Sequence, residues 1–202
     1  KPTIKIFNDK VYCNGFTAFC YDLNTGSLLW QNNFGLPSAS RYYECSSTLD
    51  QNKLYTVVPS ATSSTQHAIK TINFTTGAIE SSFNTLSGTY INSNSYQFSN
   101  QMVYAISPHS QFDSTELQAY DISTATLKWR YHNFSSYRRP IISTKHIIYR
   151  EYLGPDNDSN PLYLTVLNLD GKRIRRVKVP GKYIYGILYI DENNTQYNQT
   201  LY

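Results

Sequence analysis

Tyr21-Asp-Leu-Asn-Thr-Gly-Ser-Leu-Leu-Trp30 and Tyr120-Asp-Ile-Ser-Thr-Ala-Thr-Leu-Lys-Trp129 are two copies of one pattern: a strand end, an Asx-led bend, a small residue and an apolar run closing on Trp. Looser copies read Ile69-Lys-Thr-Ile-Asn-Phe-Thr-Thr-Gly-Ala-Ile79 and Leu164-Thr-Val-Leu-Asn-Leu-Asp-Gly-Lys-Arg-Ile174. Gly26, Gly77, Ala125 and Gly171 hold the small-residue position, at separations of 51, 48 and 46 residues. A second marker precedes each copy, in Val11-Tyr12, Leu54-Tyr55, Val103-Tyr104 and Ile148-Tyr149, with Tyr separations of 43, 49 and 45. Two markers keeping step define a repeat.

Each element has a local cause. In Asp22-Leu-Asn-Thr-Gly26 the Asx side chains accept backbone N–H bonds within the bend, and Gly takes the positive φ of a tight hairpin, so the turn needs these residues without any catalytic role. The Trp that ends the run is a large flat side chain suited to wedging between neighbouring sheets. Phe83 takes that part in the second repeat and only Val177 is offered in the fourth. A unit of this length accommodates four short strands with their connections, which predicts an all-β fold, a β-propeller of four-stranded antiparallel blades. The blades span about 1–36, 37–88, 89–136 and 137–182, with the start of a further one at 183–202. There Tyr185-Gly-Ile-Leu-Tyr-Ile-Asp-Glu-Asn-Asn-Thr-Gln-Tyr197 repeats the reading of Ser47-Thr-Leu-Asp-Gln-Asn-Lys-Leu-Tyr55, and Tyr197 falls 48 residues after Tyr149. The expectation is a single β-propeller region, part of a larger propeller; the competing reading is a four-bladed ring with an extra strand or tail. Composition agrees: 19 Tyr and 9 Phe accompany many Ile, Val and Thr, which favour pleated, half-buried strands.

The repeats resemble those of the quinoprotein-type propellers, the pyrroloquinoline-quinone-like repeats, through the run Asp-x-x-Thr-Gly-x-x-x-Trp at Asp22–Trp30 and its variant at Asp121–Trp129. The resemblance covers nearly the whole chain as architecture. It implies a fold shared by quinone-dependent dehydrogenases, envelope scaffolds and sensor domains, so fold alone assigns no chemistry. The dehydrogenases would bring an adjacent Cys-Cys pair and a calcium site of Glu, Asn and Asp. No two cysteines here are adjacent, and no catalytic residue or cofactor is carried over.

Charge and motifs narrow the remaining classes. A net charge of +4, with 16% charged residues, gives no broad field for nucleic acid, and no apolar run approaches the roughly 20 residues of a membrane-spanning helix. The opening Lys1-Pro2-Thr3 reads as a processed or truncated start. Five sequons, at Asn73, Asn133, Asn157, Asn193 and Asn198, suggest a glycoprotein of the secretory pathway, although an Asn-rich chain generates some by composition. Cys13, Cys20 and Cys45 lack zinc spacing. They leave open a Cys20–Cys45 disulfide, a Cys13–Cys20 disulfide, or three small buried hydrophobes. His67, His109, His132 and His146 lack ligand spacing and read as surface or hydrogen-bonded residues, and Asp156-Asn-Asp158-Ser-Asn160 reads as an exposed loop. Arg138 and Arg139 with Lys172, Arg173, Arg175, Arg176 and Lys178 form a candidate anion patch; the competing reading is an outer edge strand whose charges discourage strand addition. Tyr42, Tyr43, Tyr183 and Tyr185, near inner-strand starts, would floor a glycan face or pack between blades.

The expectation is a non-catalytic extracellular or luminal glycoprotein. Its propeller is a scaffold for a protein partner or for self-association, with no nucleic acid and no membrane span. The alternatives are a glycan-binding or sensor propeller and a fragment of a quinone-dependent oxidoreductase.

Overall fold

The computed structural model describes residues 3–14, 17–34, 46–50, 52–60, 66–86, 96–108, 115–134, 140–152, 162–179, 186–190 and 196–200. These residues form strands and turns alone. The first sheet is β1 (Thr3–Phe7), β2 (Lys10–Asn14), β3 (Thr17–Asp22) and β4 (Leu28–Asn33). The second is β5 (Ser46–Asp50), β6 (Lys53–Pro59), β7 (His67–Asn73) and β8 (Ile79–Asn84). The third is β9 (Tyr96–Ser99), β10 (Met102–Pro108), β11 (Thr115–Asp121) and β12 (Thr126–Phe134). The fourth is β13 (Ile141–Ile142), β14 (His146–Tyr152), β15 (Leu162–Asn168) and β16 (Arg173–Lys178). β17 (Gly186–Ile190) and β18 (Gln196–Thr200) make a two-stranded antiparallel ladder. Every four-stranded sheet meanders in chain order and is antiparallel. The chain divides into two compact units, Lys1–Tyr96 and Gln97–Tyr202.

The Asx bend recurs as the sequence leads one to expect. Asp22 accepts from the backbone N–H groups of Asn24 and Thr25 at 3.0 and 2.8 Å, Asn73 from those of Thr75 and Thr76, and Asp121 from those of Ser123 and Thr124. Gly26, Gly77 and Ala125 follow with φ of 71, 74 and 56°. The fourth bend is one residue shorter: the Gly171 N–H reaches back three residues to the Asn168 carbonyl, where Gly26 and Gly77 reach back four. The first strand pair of the first sheet turns on Asn8-Asp9 and that of the third on Asn100-Gln101, all four residues with positive φ, as a two-residue hairpin matched to strand twist requires.

In the first unit Tyr12, Cys20 and Trp30 stand side by side across three strands and pack on Leu54, Ile72 and Phe74 of the second sheet. The indole N–H of Trp30 donates to the Phe74 carbonyl at 2.8 Å, and the Asn32 amide donates to the Gly77 carbonyl at 2.9 Å. In the second unit Tyr104, Ala119 and Trp129 pack on Ile147, Tyr149 and Leu167, and the Trp129 indole donates to the Leu169 carbonyl at 2.8 Å. The glycine of each receiving bend lies under the ring. A Cβ on Gly77 would sit 2.6 Å from Trp30, and one on Gly171 2.6 Å from Trp129.

Three sequence expectations change here. Opposite Thr71, the place corresponding to Trp30, stands Ser81 rather than Phe83, and in the fourth sheet it is Arg175 rather than Val177; the two apolar residues lie one pleat further along. Tyr149 is also out of step. Counted from the bend, Ile148 corresponds to Tyr12, and Tyr149 stands on the opposite face, since one residue of slip reverses every side chain in a strand. Cys13 and Cys20 are both free thiols. Cys20 pairs with Tyr12 and Cys13 with Phe19, so the two thiols leave opposite faces, which excludes the Cys13–Cys20 bond; Cys45 lies outside the described residues.

The contrast among the three glycines gives a test. Gly77→Ala and Gly171→Ala combine a left-handed alanine, about 1–2 kcal/mol, with displacement of an indole, about 1–3 kcal/mol. Gly26 has nothing within 4 Å, so Gly26→Ala carries the backbone part alone. Urea unfolding of the three variants should rank them in that order, and equal losses at Gly26 and Gly77 would show that the indole contact adds nothing.

Candidate functional site

The chemistry-bearing side chains lie on the strand halves away from the Asx bends. In the second unit Glu151 of β14 is 1% exposed. A carboxylate so placed needs compensating donors, and Arg176 of β16 supplies two, from Nε at 2.8 Å to Oε2 and from Nη2 to Oε1. Thr165 Oγ1 donates to the same carboxylate, and the guanidinium lies over the Tyr163 ring at 5.2 Å. Bonding to Glu151 raises the Arg176 pKa, and burial pushes the neighbouring Tyr149 phenol well above its ordinary range. Glu116 of β11 is likewise buried and faces Arg130 at 3.4 Å and His132 at 3.8 Å. Beside it the Tyr120 hydroxyl donates to Gln118.

In the first unit His67 is buried at the start of β7, with its ring edge-to-face on Tyr96 at 5.6 Å. Burial lowers its pKa from 6.5 to about 4, which keeps the imidazole neutral. Lys70 lies over the Phe34 ring at 5.9 Å, and burial lowers its pKa. The turn carboxylates show the opposite cause: hydrogen bonds from Thr25 hold Asp22 below its ordinary value, and those led by the Ser123 hydroxyl bring Asp121 to about 2.

The candidates read from sequence separate accordingly. Lys172, Arg173, Arg175 and Lys178 are exposed on or beside β16, an edge strand, while Arg176 is taken up by Glu151. That alternation of charge along a sheet edge is a barrier to strand addition. Arg138 and Arg139 lie outside the described residues, as do Asn157, Asn193, His109, the loop at 156–160 and Tyr42, Tyr43, Tyr183 and Tyr185. Asn133 is on β12 and Asn198 on β18, opposite Leu188. Asn73 ends β7, where its carbonyl oxygen holds the bend and its amide donates to Glu80 at 3.1 Å. Among the described residues no group of three or more His, Cys, Asp or Glu side chains converges as a metal site would need, and no helix is long and apolar enough to cross a membrane. The Glu151–Arg176 pair was missed in sequence, although a signal existed: Glu151 lies on a central strand, two residues past the apolar run Ile147-Ile148-Tyr149, where a charge demands a partner.

No family model matches the chain, and no curated protein matches it. Solved structures do. A europium-containing methanol dehydrogenase is 13% identical, covers 96% of this chain and superposes with a TM-score of 0.57; this chain spans 44% of that one. BamB from Moraxella catarrhalis is 19% identical over 98% of this chain and 68% of its own, with a TM-score of 0.49. The likeness to the dehydrogenase is one of fold, and the chain has a β-propeller fold.

Two outcomes follow from these environments. Arg176→Ala strands a buried carboxylate and should lose about 3–5 kcal/mol in urea unfolding, whereas Glu151→Leu together with Arg176→Leu should recover most of that loss; a loss no greater for the single change than for the double would contradict it. His67 has a folded pKa below its unfolded one, so its contribution is complete above pH 6.5 and is lost as pH falls towards about 4, roughly 3 kcal/mol in all. His67→Phe keeps a ring against Tyr96 and should flatten the fall in unfolding midpoint between pH 7 and pH 4.5; an unchanged slope would assign the acid sensitivity to another group.

Proposed function

We propose that this chain is a non-catalytic scaffold, extracellular or luminal, whose propeller blades hold long connecting segments for binding a protein partner, copies of itself included. One observation carries this reading: with the single exception of 15–16, the connections sort by length. At one end of every four-stranded sheet the turns are tight, at 8–9 and 23–27, 51–52 and 74–78, 100–101 and 122–125, 143–145 and 169–172. From the other end leave the two-residue link 15–16 and the longer segments 34–45, 60–66, 85–95, 109–114, 135–140, 153–161 and 179–185. Segments that vary in length on a repeated strand frame are the usual carriers of recognition. The buried carboxylates near that end, Glu116 and Glu151, are bound to arginines of their own sheets, which supports a load-sharing role in place of a reactive one.

The five sequons support the compartment, with one qualification of chemistry. Asn73 has an independent reason to be Asn, because its oxygen caps the bend as Asp22 and Asp121 do. A glycan on its nitrogen would leave that oxygen in place, so the two roles are compatible.

Replacing 109–114 and 153–161 by Gly-Ser segments of equal length should leave the unfolding midpoint in place and abolish concentration-dependent assembly in sedimentation. A wild-type protein that stays monomeric, or a variant that assembles as well, removes the self-association reading. For the compartment, Asn73→Asp keeps the bend and deletes the sequon. After passage through a eukaryotic secretory pathway the intact mass should fall by one glycan at unchanged stability; identical masses after enzymatic deglycosylation and without it would refute the glycoprotein assignment.

A further inference from the structure

The positive charge of this chain is concentrated on one sheet. The described residues of the fourth sheet and its bend, 140–152 and 162–179, carry seven Lys and Arg side chains against two carboxylates, Glu151 and Asp170. That balance of +5 exceeds the +4 of the whole chain, so the other residues taken together are slightly acidic. Glu151 is spent on Arg176, and Asp170 accepts from the Asn168 amide at 3.3 Å. Among the described residues no carboxylate pairs with Lys172, Arg173, Arg175 or Lys178.

These four exposed cations follow β16, the edge of its sheet. Arg173 stands opposite Leu167 and Lys178 opposite Tyr163, on one face; Arg175 stands opposite Val166, on the other. A regular strand would put Arg173 and Arg175 on the same face, and the extra residue of the bulge, Ile174, separates them. The result is a line of charge about 17 Å long from Arg173 to Lys178, open on both flanks. A linear polyanion can wrap such an edge and meet both flanks, whereas the plane of an anionic membrane would meet one flank at a time. The stretch 172–179 contains no aromatic residue, and the Tyr163 ring lies under the Arg176 guanidinium, so unstacked bases find no platform. Ile174 and Val177, 56% and 44% exposed, offer apolar contact to the C–H faces of sugar rings.

We propose that the β16 edge binds a sulfated polysaccharide. Arg173 and Arg175 each take a sulfate through paired N–H donors, and Lys172 and Lys178 add point charges at the two ends of the line. The charge that keeps other strands off β16 is the same charge that attracts the glycan. The ligand class agrees with the extracellular or luminal assignment, but binding in vitro does not require it, so either can fail alone.

Calorimetric titration of the protein with heparin tests this directly. Affinity should fall with salt at a slope of about −3 in log K against log salt, as four ionic contacts require. Arg173→Gln together with Arg175→Gln should weaken binding about tenfold or more and bring the slope to about −1.5, at an unchanged urea midpoint because both side chains are exposed. Lys5→Gln with Lys10→Gln removes the same charge from the first sheet and should change affinity by less than about twofold, since net charge alone is not the determinant. Equal weakening by the two pairs, or no heparin binding by the parent protein, overturns the proposal. So does binding as tight or tighter to poly(dT), to phosphatidylserine vesicles or to heparin stripped of its sulfates.

Discussion

An indole lying flat on a glycine of left-handed backbone sets the distance between sheets in both units of this chain. The contact is restrictive on each side. A Cβ under the ring would come within 2.6 Å, and the ring N–H must reach a carbonyl of the same bend at 2.8 Å, so the position and tilt of the receiving hairpin are determined together. The apolar residues around it, Tyr12, Leu54 and Ile72 in one unit and Tyr104, Ile147 and Leu167 in the other, supply the area that drives association. The hydrogen bond supplies orientation. Packing of this kind passes from each repeat to its neighbour alone, which is why one short motif recurring along the chain suffices to build the fold.

Polar groups are arranged around the same constraint. Near the bends they cap backbone N–H groups, and those hydrogen bonds hold Asp22 and Asp121 ionised. Further along the strands the buried carboxylates Glu151 and Glu116 are paired with Arg176 and Arg130, whose side chains stay partly exposed. Such pairs contribute little net stability relative to apolar residues, but they penalise any register that separates them. Strands that differ in face by a single residue of slip gain in specificity from a pair that closes in one register only.

Sequence revealed the repeat, the bends and the fold class because those depend on short-range chemistry: Asx acceptors, a residue tolerant of positive φ, alternating apolar strands. It was less informative wherever faces had to be assigned. Tyr149 seemed to continue the series Tyr12, Tyr55, Tyr104, yet it points the other way: those three face the residue two before the Asx, whereas Tyr149 faces Thr165, three before Asn168. Phe83 and Val177 were read into the place of Trp30 from their apolar character alone, and they lie one pleat beyond Ser81 and Arg175, which stand there. The long-range pairing of Glu151 with Arg176 was hidden for a different reason. Arg176 sits in a basic run, and nothing local distinguishes the one arginine that turns inward from its neighbours.

The out-of-phase Tyr149 also bears on how these blades can be exchanged. A chimaera spliced by matching tyrosines would join its second strand one residue late and turn a hydrophobic face to water. Splicing at the Asx keeps inward residues inward whatever the loop lengths on the far side. The bend is therefore the natural origin for numbering any blade of this type, and the part of the unit that a graft must carry intact.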